Sequence, residues 1–132
     1  MVEQYKIRAA QAKMMRGLLD LAVLQLIQEN GKLHGYGVIT AFRDIFGMYF
    51  GPSTIYPLLS EMEKEGYVKS SWDLNRQRPR KDFILTPDGK GLLDGSQESF
   101  NHIARKMVRS PTNLSKTPEG QGLGSMSAYT EH

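Results

Sequence analysis

The densest run of reactive chemistry in this chain is Arg76-Gln77-Arg78-Pro79-Arg80-Lys81, four cations within six residues. Guanidinium and ammonium groups at that density suit phosphate neutralisation, because each charge placed on a nucleic-acid backbone releases condensed counterions. A basic run alone is more often a solvated turn, so its surroundings decide its meaning. Groups that would do covalent or metal chemistry are sparse. The chain has no cysteine and three histidines, His34, His102 and His132, without a carboxylate or cysteine at metal-ligand spacing around them. Gly89-Lys90-Gly91, with the next glycine at Gly95, misses both the dinucleotide fingerprint and the phosphate-binding loop. Asn113-Leu114-Ser115 has the form of a glycosylation sequon with no secretion signal before it. No enzyme, cofactor or metal site is therefore expected.

The elements that must position the basic run are written in the apolar periodicity. Residues 2–13 are mostly helix formers, with Tyr5, Ile7, Ala9, Ala10 and Ala12 as a loose apolar side, and predict a short helix. Over residues 14–28, Met15, Leu18, Leu19, Ala22 and Leu26 recur at helical spacing, and Leu21, Val23, Leu24 and Ile27 widen the stripe. A helix apolar on so much of its circumference is central to the core, and Asn30-Gly31 ends it. A second helix over 35–46 points Tyr36, Ile39, Phe42 and Phe46 inward, with His34 in the turn before it. A third opens at Gly51-Pro52, runs to Gly66 and buries Ile55, Leu58, Leu59 and Met62. Beyond Gly66 the period becomes two: Val68, Ser70, Trp72 and Leu74 share one side of a strand, and Phe83 and Leu85 share one side of a second, across a turn at 75–79. Thr86-Pro87-Asp88 caps a fourth helix.

That last helix carries Leu92, Leu93, Phe100, Ile103 and Met107 on an apolar side, which a small single domain has no obvious means of covering, so a dimerisation face is expected there. Residues 109–132 hold little to bury and are expected to be a disordered tail. With 132 residues there is material for one modest core. The formal charge of +3 leans towards an anionic partner. No secretory leader and no membrane-spanning stretch is read, so a soluble cytoplasmic protein is expected.

Three helices followed by a hairpin predict a mainly α fold with a small β-hairpin, a winged helix-turn-helix plus a C-terminal dimerisation helix. On that layout the basic run is the wing tip. On the third helix Ser53, Pro57, Ser60 and Lys64 face away from the core with Tyr56 on the flank, small and polar enough to approach base edges and phosphates. Glu61, Glu63 and Glu65 would repel a phosphate backbone, which confines contact to the first half of the helix. The aromatic residues Tyr5, Phe42, Phe46, Tyr49, Phe50 and Trp72 are read as core or interface.

Arg16-Gly17, Leu33-His34-Gly35-Tyr36, Thr54-Ile55-Tyr56-Pro57-Leu58-Leu59, Met62-Glu63-Lys64-Glu65-Gly66, Arg78-Pro79-Arg80-Lys81 and Leu85-Thr86 occur in this order. Over residues 14–93 they resemble the PadR family of transcriptional regulators. The resemblance implies a homodimer joined by the helix after the wing with help from the N-terminal segment. It also implies a pseudo-palindromic double-stranded DNA operator, repression, and release by a small-molecule effector in some members. Carried over by position, the DNA-facing residues are Tyr36, Ser53, Thr54, Tyr56, Pro57, Arg78, Arg80 and Lys81, to which the outward face and the basic run add Lys64 and Arg76. The sequence departs from the family pattern at Ser53, where glycine is common, and at Asp82, where an aromatic residue is common and a negative charge now sits beside the wing. The expected organisation is a helical extension (1–13), the winged domain (14–86), the dimerisation helix (87–108) and the tail (109–132). The rival reading is a winged helix that binds protein and not DNA, for which an apolar patch would replace the basic wing tip.

Overall fold

The computed structural model describes residues 1–108, so the predicted tail at 109–132 lies outside the described residues. The elements run α1 (Gln4–Gly17), α2 (Leu19–Asn30), β1 (Leu33–His34), α3 (Gly35–Phe46), α4 (Pro52–Lys64), β2 (Val68–Asp73), β3 (Arg80–Leu85) and α5 (Pro87–Met107). The chain divides into two units, Met1–Gln97 and Glu98–His132. Of the second, only the last turns of α5 and Val108 are described.

Helix α2 is central, as its wide apolar stripe predicts: Leu19, Ala22, Val23, Leu24, Leu26 and Ile27 are all buried. Against it lie Val38, Ile39 and Phe42 of α3, Ile55, Leu59 and Met62 of α4, and Val68, Phe83 and Leu85 of the sheet. Each fully buried aliphatic or aromatic side chain contributes about 1.5–3 kcal/mol over its exposed state. Phe42 adds an edge-to-face contact with Phe50 at 5.2 Å.

The N-terminal helix is longer than predicted. The sequence reading divides it from the central helix between Lys13 and Met14, whereas α1 continues to Gly17 and the break falls at Leu18, with φ −106° and ψ 10°. Gly17 is the weakest helix former near that point, and the Leu18 N–H turns back onto the Met15 carbonyl at 3.0 Å. No residue of α1 is buried.

The hairpin is part of a three-stranded antiparallel sheet ordered β1-β3-β2. β1 pairs Leu33 with Phe83 and His34 with Asp82, and β2 pairs with β3 from Val68↔Leu85 to Asp73↔Arg80. Two residues are too few to display a period of two, which is why the sequence shows no strand here and reads His34 as part of the turn before the helix. His34 also occupies the N-cap position of α3.

Sharing a face does not mean sharing burial: Trp72 is 60% exposed and Leu74 72%, although alternation puts them on the side of buried Val68, so of the core and interface roles the sequence leaves open to Trp72 the core is excluded. One predicted inward placement also fails. Tyr36 is 56% exposed, which fits the family resemblance and not the helical-face argument. Leu93, assigned to a dimer face, belongs to the core of its own unit at 4% exposure, with the half-buried Leu92 packed against that core. The reason is that the first turns of α5 fold back onto the unit. Thr86 Oγ1 donates to the Gly66 carbonyl at 2.6 Å and accepts from the Gly89 N–H at 3.0 Å, while a Cβ on Gly89 would overlap the Tyr67 carbonyl oxygen. Farther along, Gln97 donates to Gln25 of α2.

Candidate nucleic-acid interface

Helix α4 begins after Gly51 in extended conformation with Pro52 in its first turn, where a missing N–H costs no helical bond. It passes through Pro57 without a break, although Pro57 has no N–H for the Ser53 carbonyl. Ile55, Leu59 and Met62 are buried, which leaves Ser53, Thr54, Tyr56, Pro57, Ser60 and Lys64 exposed. A Cβ at Gly35 would collide with the Tyr56 ring. Glycine at the start of α3 is thus what lets that ring lie against it, with Tyr36 the next residue along.

The wing carries its cations in unequal states. Arg76 Nη1, in the turn, lies 4.0 Å from Oδ2 of Asp73 at the end of β2, a part-exposed pair. Among the described residues Arg78 makes no ion pair. Arg80 Nε donates to Asp82 Oδ1 at 3.2 Å, and Asp82 is 4% exposed. Lys81 Nζ sits 3.7 Å from Glu63 Oε1 and 5.7 Å from the centroid of the Phe83 ring. The other oxygen of Glu63 accepts from Ser70 Oγ at 2.5 Å and from the Ser70 N–H at 3.3 Å.

Glu63 therefore joins α4 to both β2 and β3. The sequence counts it with Glu61 and Glu65 as a repeller of phosphate, and no local pattern distinguishes the three. On the other side of the sheet, burial lowers the proton affinity of His34, the Arg80 and Arg76 guanidinium groups lower it further, and Asp82 opposes them.

Between α4 and the wing runs an open groove of about 290 Å³, lined by Gly35, by Tyr56 and Ser60 of α4, and by Trp72, Arg80, Lys81 and Phe83 of the sheet. The structure thus brings Tyr56, Arg80 and Lys81 to one groove. Ser53, Thr54 and Pro57 are on the exposed first half of the same helix, Lys64 is at its far end, and Arg76 and Arg78 are in the turn beyond the strands. Sequence reasoning missed Trp72 as a lining residue. The signal available was an indole set among Ser71, Asp73 and the basic run, a polar setting for a core residue. Among the described residues no group of three or more His, Asp or Glu side chains is placed to hold a metal ion, and no helix is long and apolar enough to cross a membrane.

Comparison with known proteins agrees with this geometry. A curated relative, an uncharacterised 37.1 kDa protein in a transposon of Streptomyces fradiae, is 32% identical over 81 residues, 61% of this chain. The chain spans only 23% of that relative's length. Among solved structures, the fold is similar to that of a PadR family transcriptional regulator from Eggerthella lenta, with TM-score 0.69 and 24% identity over 84% of this chain and 93% of the other. It is also similar to Bacillus subtilis PadR in complex with operator DNA, with TM-score 0.56 and 22% identity over 86% of this chain and 58% of the other. The transcriptional regulator PadR-like family matches residues 23–94, more than half of the chain, and the protein belongs to that family.

Proposed function

We propose that this regulator binds a double-stranded operator as a homodimer and represses transcription from it in the cytoplasm. The observation that carries the reading is the exposed, polar first half of α4 beside a cation-bearing wing. In a winged helix-turn-helix the second helix of the motif enters the major groove and the wing rests on the neighbouring backbone. Ser53, Thr54 and Tyr56 offer hydroxyls to base edges or phosphates, and Pro57 offers an apolar contact such as a thymine methyl accepts. Arg76, Arg78, Arg80 and Lys81 face phosphates, and Tyr36 contributes a hydroxyl beside them. The complex of Bacillus subtilis PadR with operator DNA supports the same use of the fold here.

Dimerisation is supported by apolar side chains left in water. On α5, Phe100, Ile103 and Met107 are 40%, 51% and 75% exposed, and their spacing of three and four places them on one helical face. On α1, Tyr5, Ile7 and Met14 are likewise exposed. Two-fold symmetry then predicts an inverted repeat whose half-site centres lie about one helical turn of DNA, or a multiple of it, apart.

Selection of bound duplexes from a random pool with the purified protein, with light scattering on the same sample, tests the reading. An inverted repeat bound by a dimer is the expected result. Failure to enrich any duplex at low salt would overturn it.

A further inference from the structure

We propose that Trp72 is a DNA contact, its indole packing against a deoxyribose of the backbone strand that Lys81 neutralises. The inference rests on the DNA-binding reading above and adds to it a residue and a contact type. Trp72 is the only tryptophan of the chain, and 60% of it is exposed. An indole is among the largest apolar surfaces a residue can offer, and tryptophan is on average a highly buried residue.

Its position is fixed by its neighbours. In the sheet Trp72 pairs with Lys81, one step from the Asp73↔Arg80 pair. Alternation puts it on the same side of β2 as Ser70, which Glu63 ties to α4. The groove between α4 and the wing therefore has a held width, and Trp72, Arg80 and Lys81 form its wing side opposite Tyr56 and Ser60.

The chemistry of those walls selects the occupant. A sugar-phosphate strand alternates apolar C–H faces with anionic oxygens, and the groove sets an indole beside the ammonium-bearing Lys81 that pairs with it across the strands. A free anion would have no use for the indole, and an apolar protein segment would offer nothing to Lys81, whose part-exposed contact with Glu63 at 3.7 Å is of a kind a phosphate can exchange for. In a duplex the base faces are already stacked on each other, so the indole meets sugar and not base. Sugar contact carries no sequence information, and an uncharged side chain releases no counterions. Trp72 should thus strengthen binding to every duplex alike without altering its salt dependence.

Being the single tryptophan, Trp72 reports on itself. A labelled duplex of random sequence gives binding by anisotropy, and acrylamide quenching of the intrinsic fluorescence gives access to the indole in the same sample. Saturation with duplex is expected to lower the quenching constant severalfold. Trp72→Ala is expected to weaken random and selected duplexes by the same factor, about threefold to tenfold, at unchanged salt slope, and Trp72→Phe to recover part of the loss. Circular dichroism checks that each variant is folded, and the wild-type quenching result stands even if one is not.

Binding with an indole as accessible as in the free protein would overturn the inference and leave DNA binding intact. So would a loss confined to the selected duplex, which would make Trp72 a base contact, or a lowered salt slope, which would mean that it acts through Lys81 or Arg80. Absence of anisotropy change would instead overturn the DNA-binding reading itself.

Discussion

Replacing Arg80 with alanine should cost the fold more than it costs phosphate contact. The Arg80 Nε to Asp82 Oδ1 bond of 3.2 Å joins side chains that are 30% and 5% exposed, so the variant strands a carboxylate away from water. Removing one partner of a fully buried pair costs about 3–5 kcal/mol. Because nearly a third of the Arg80 side chain is in water, the expected loss is smaller, about 1–3 kcal/mol. For a domain of this size each kcal/mol moves Tm by about 4–8 °C, which puts the drop on the order of 5–20 °C. Adding Asp82→Ala removes the stranded charge, so the double variant should be more stable than the sum of the single losses by at least about 1 kcal/mol. Thermal and urea melts of the four proteins at neutral pH measure this coupling. Arg78→Ala is the contrast: with no ion pair to lose, it should leave Tm unchanged and lower the slope of log K against log salt by about 0.9. Additive single losses, or an Arg80→Ala protein as stable as the parent with the same slope change as Arg78→Ala, would show that Arg80 is a free phosphate ligand and the pair incidental.

Gly89→Ala places a Cβ against the Tyr67 carbonyl oxygen, which also accepts the Thr86 N–H at 3.1 Å; a loss of about 1–3 kcal/mol is expected in melts. Gly91 has open space around a Cβ, so Gly91→Ala should stabilise the same helix by up to about 1 kcal/mol. His34 has a lowered proton affinity in the folded state, chiefly through burial and then Arg80, so below the ordinary value of 6.5 the unfolded chain takes up the proton first. Its contribution is full above that pH and is lost as pH falls through the lower folded-state value, and His34→Gln should reduce the acid-side fall in Tm measured below pH 6.5. Tyr56→Phe should reduce the preference for the selected operator over random DNA with little change in binding to random DNA, and an equal loss on both would make the hydroxyl a backbone contact.

Elements with many residues in period were legible. The circumference of α2, the buried face of α4, the proline opening α4 and the Thr86 cap all follow from local rules, and each is where the rules place it. What escaped depends on partners distant in sequence. β1 exists only because Phe83 and Asp82 come alongside Leu33 and His34. Leu93 is in a core and not on a free face because Gly89 lets α5 approach the Tyr67 backbone. Trp72 obeys the alternation that was read, but burial also needs something packed on that side, and there the groove opens. Glu63 and Asp82 were visible as negative charges near the proposed interface, while their use as partners for Ser70, Lys81 and Arg80 was not.

Those two carboxylates change what the basic run is able to do. Four cations in six residues suggest a wing that neutralises up to four phosphates, yet three of the four are already engaged within the chain. The engagements differ in how easily a phosphate displaces them. The part-exposed Arg76–Asp73 contact, at the 4.0 Å limit of an ion pair, is of a kind worth about 0–1 kcal/mol, so a phosphate can exchange for it. Lys81 shares the Glu63 carboxylate with Ser70, so it can turn to a phosphate while Glu63 keeps its tie to β2. Arg80 cannot leave without stranding Asp82, and serves DNA only through guanidinium nitrogens that Asp82 does not hold. Phosphate contact should therefore rank Arg78 first, then Arg76, Lys81 and Arg80. On the proposed reading, a wing built this way is expected to give up non-specific affinity, which scales with free charge, and to hold Lys81 and Arg80 in place before DNA arrives, so that less side-chain freedom is lost on binding. The salt slope per protomer should then lie well below that of four independent contacts. In the proposed complex, discrimination between sequences is then expected from the hydroxyls at the start of α4, next to a wing whose cations are held in place.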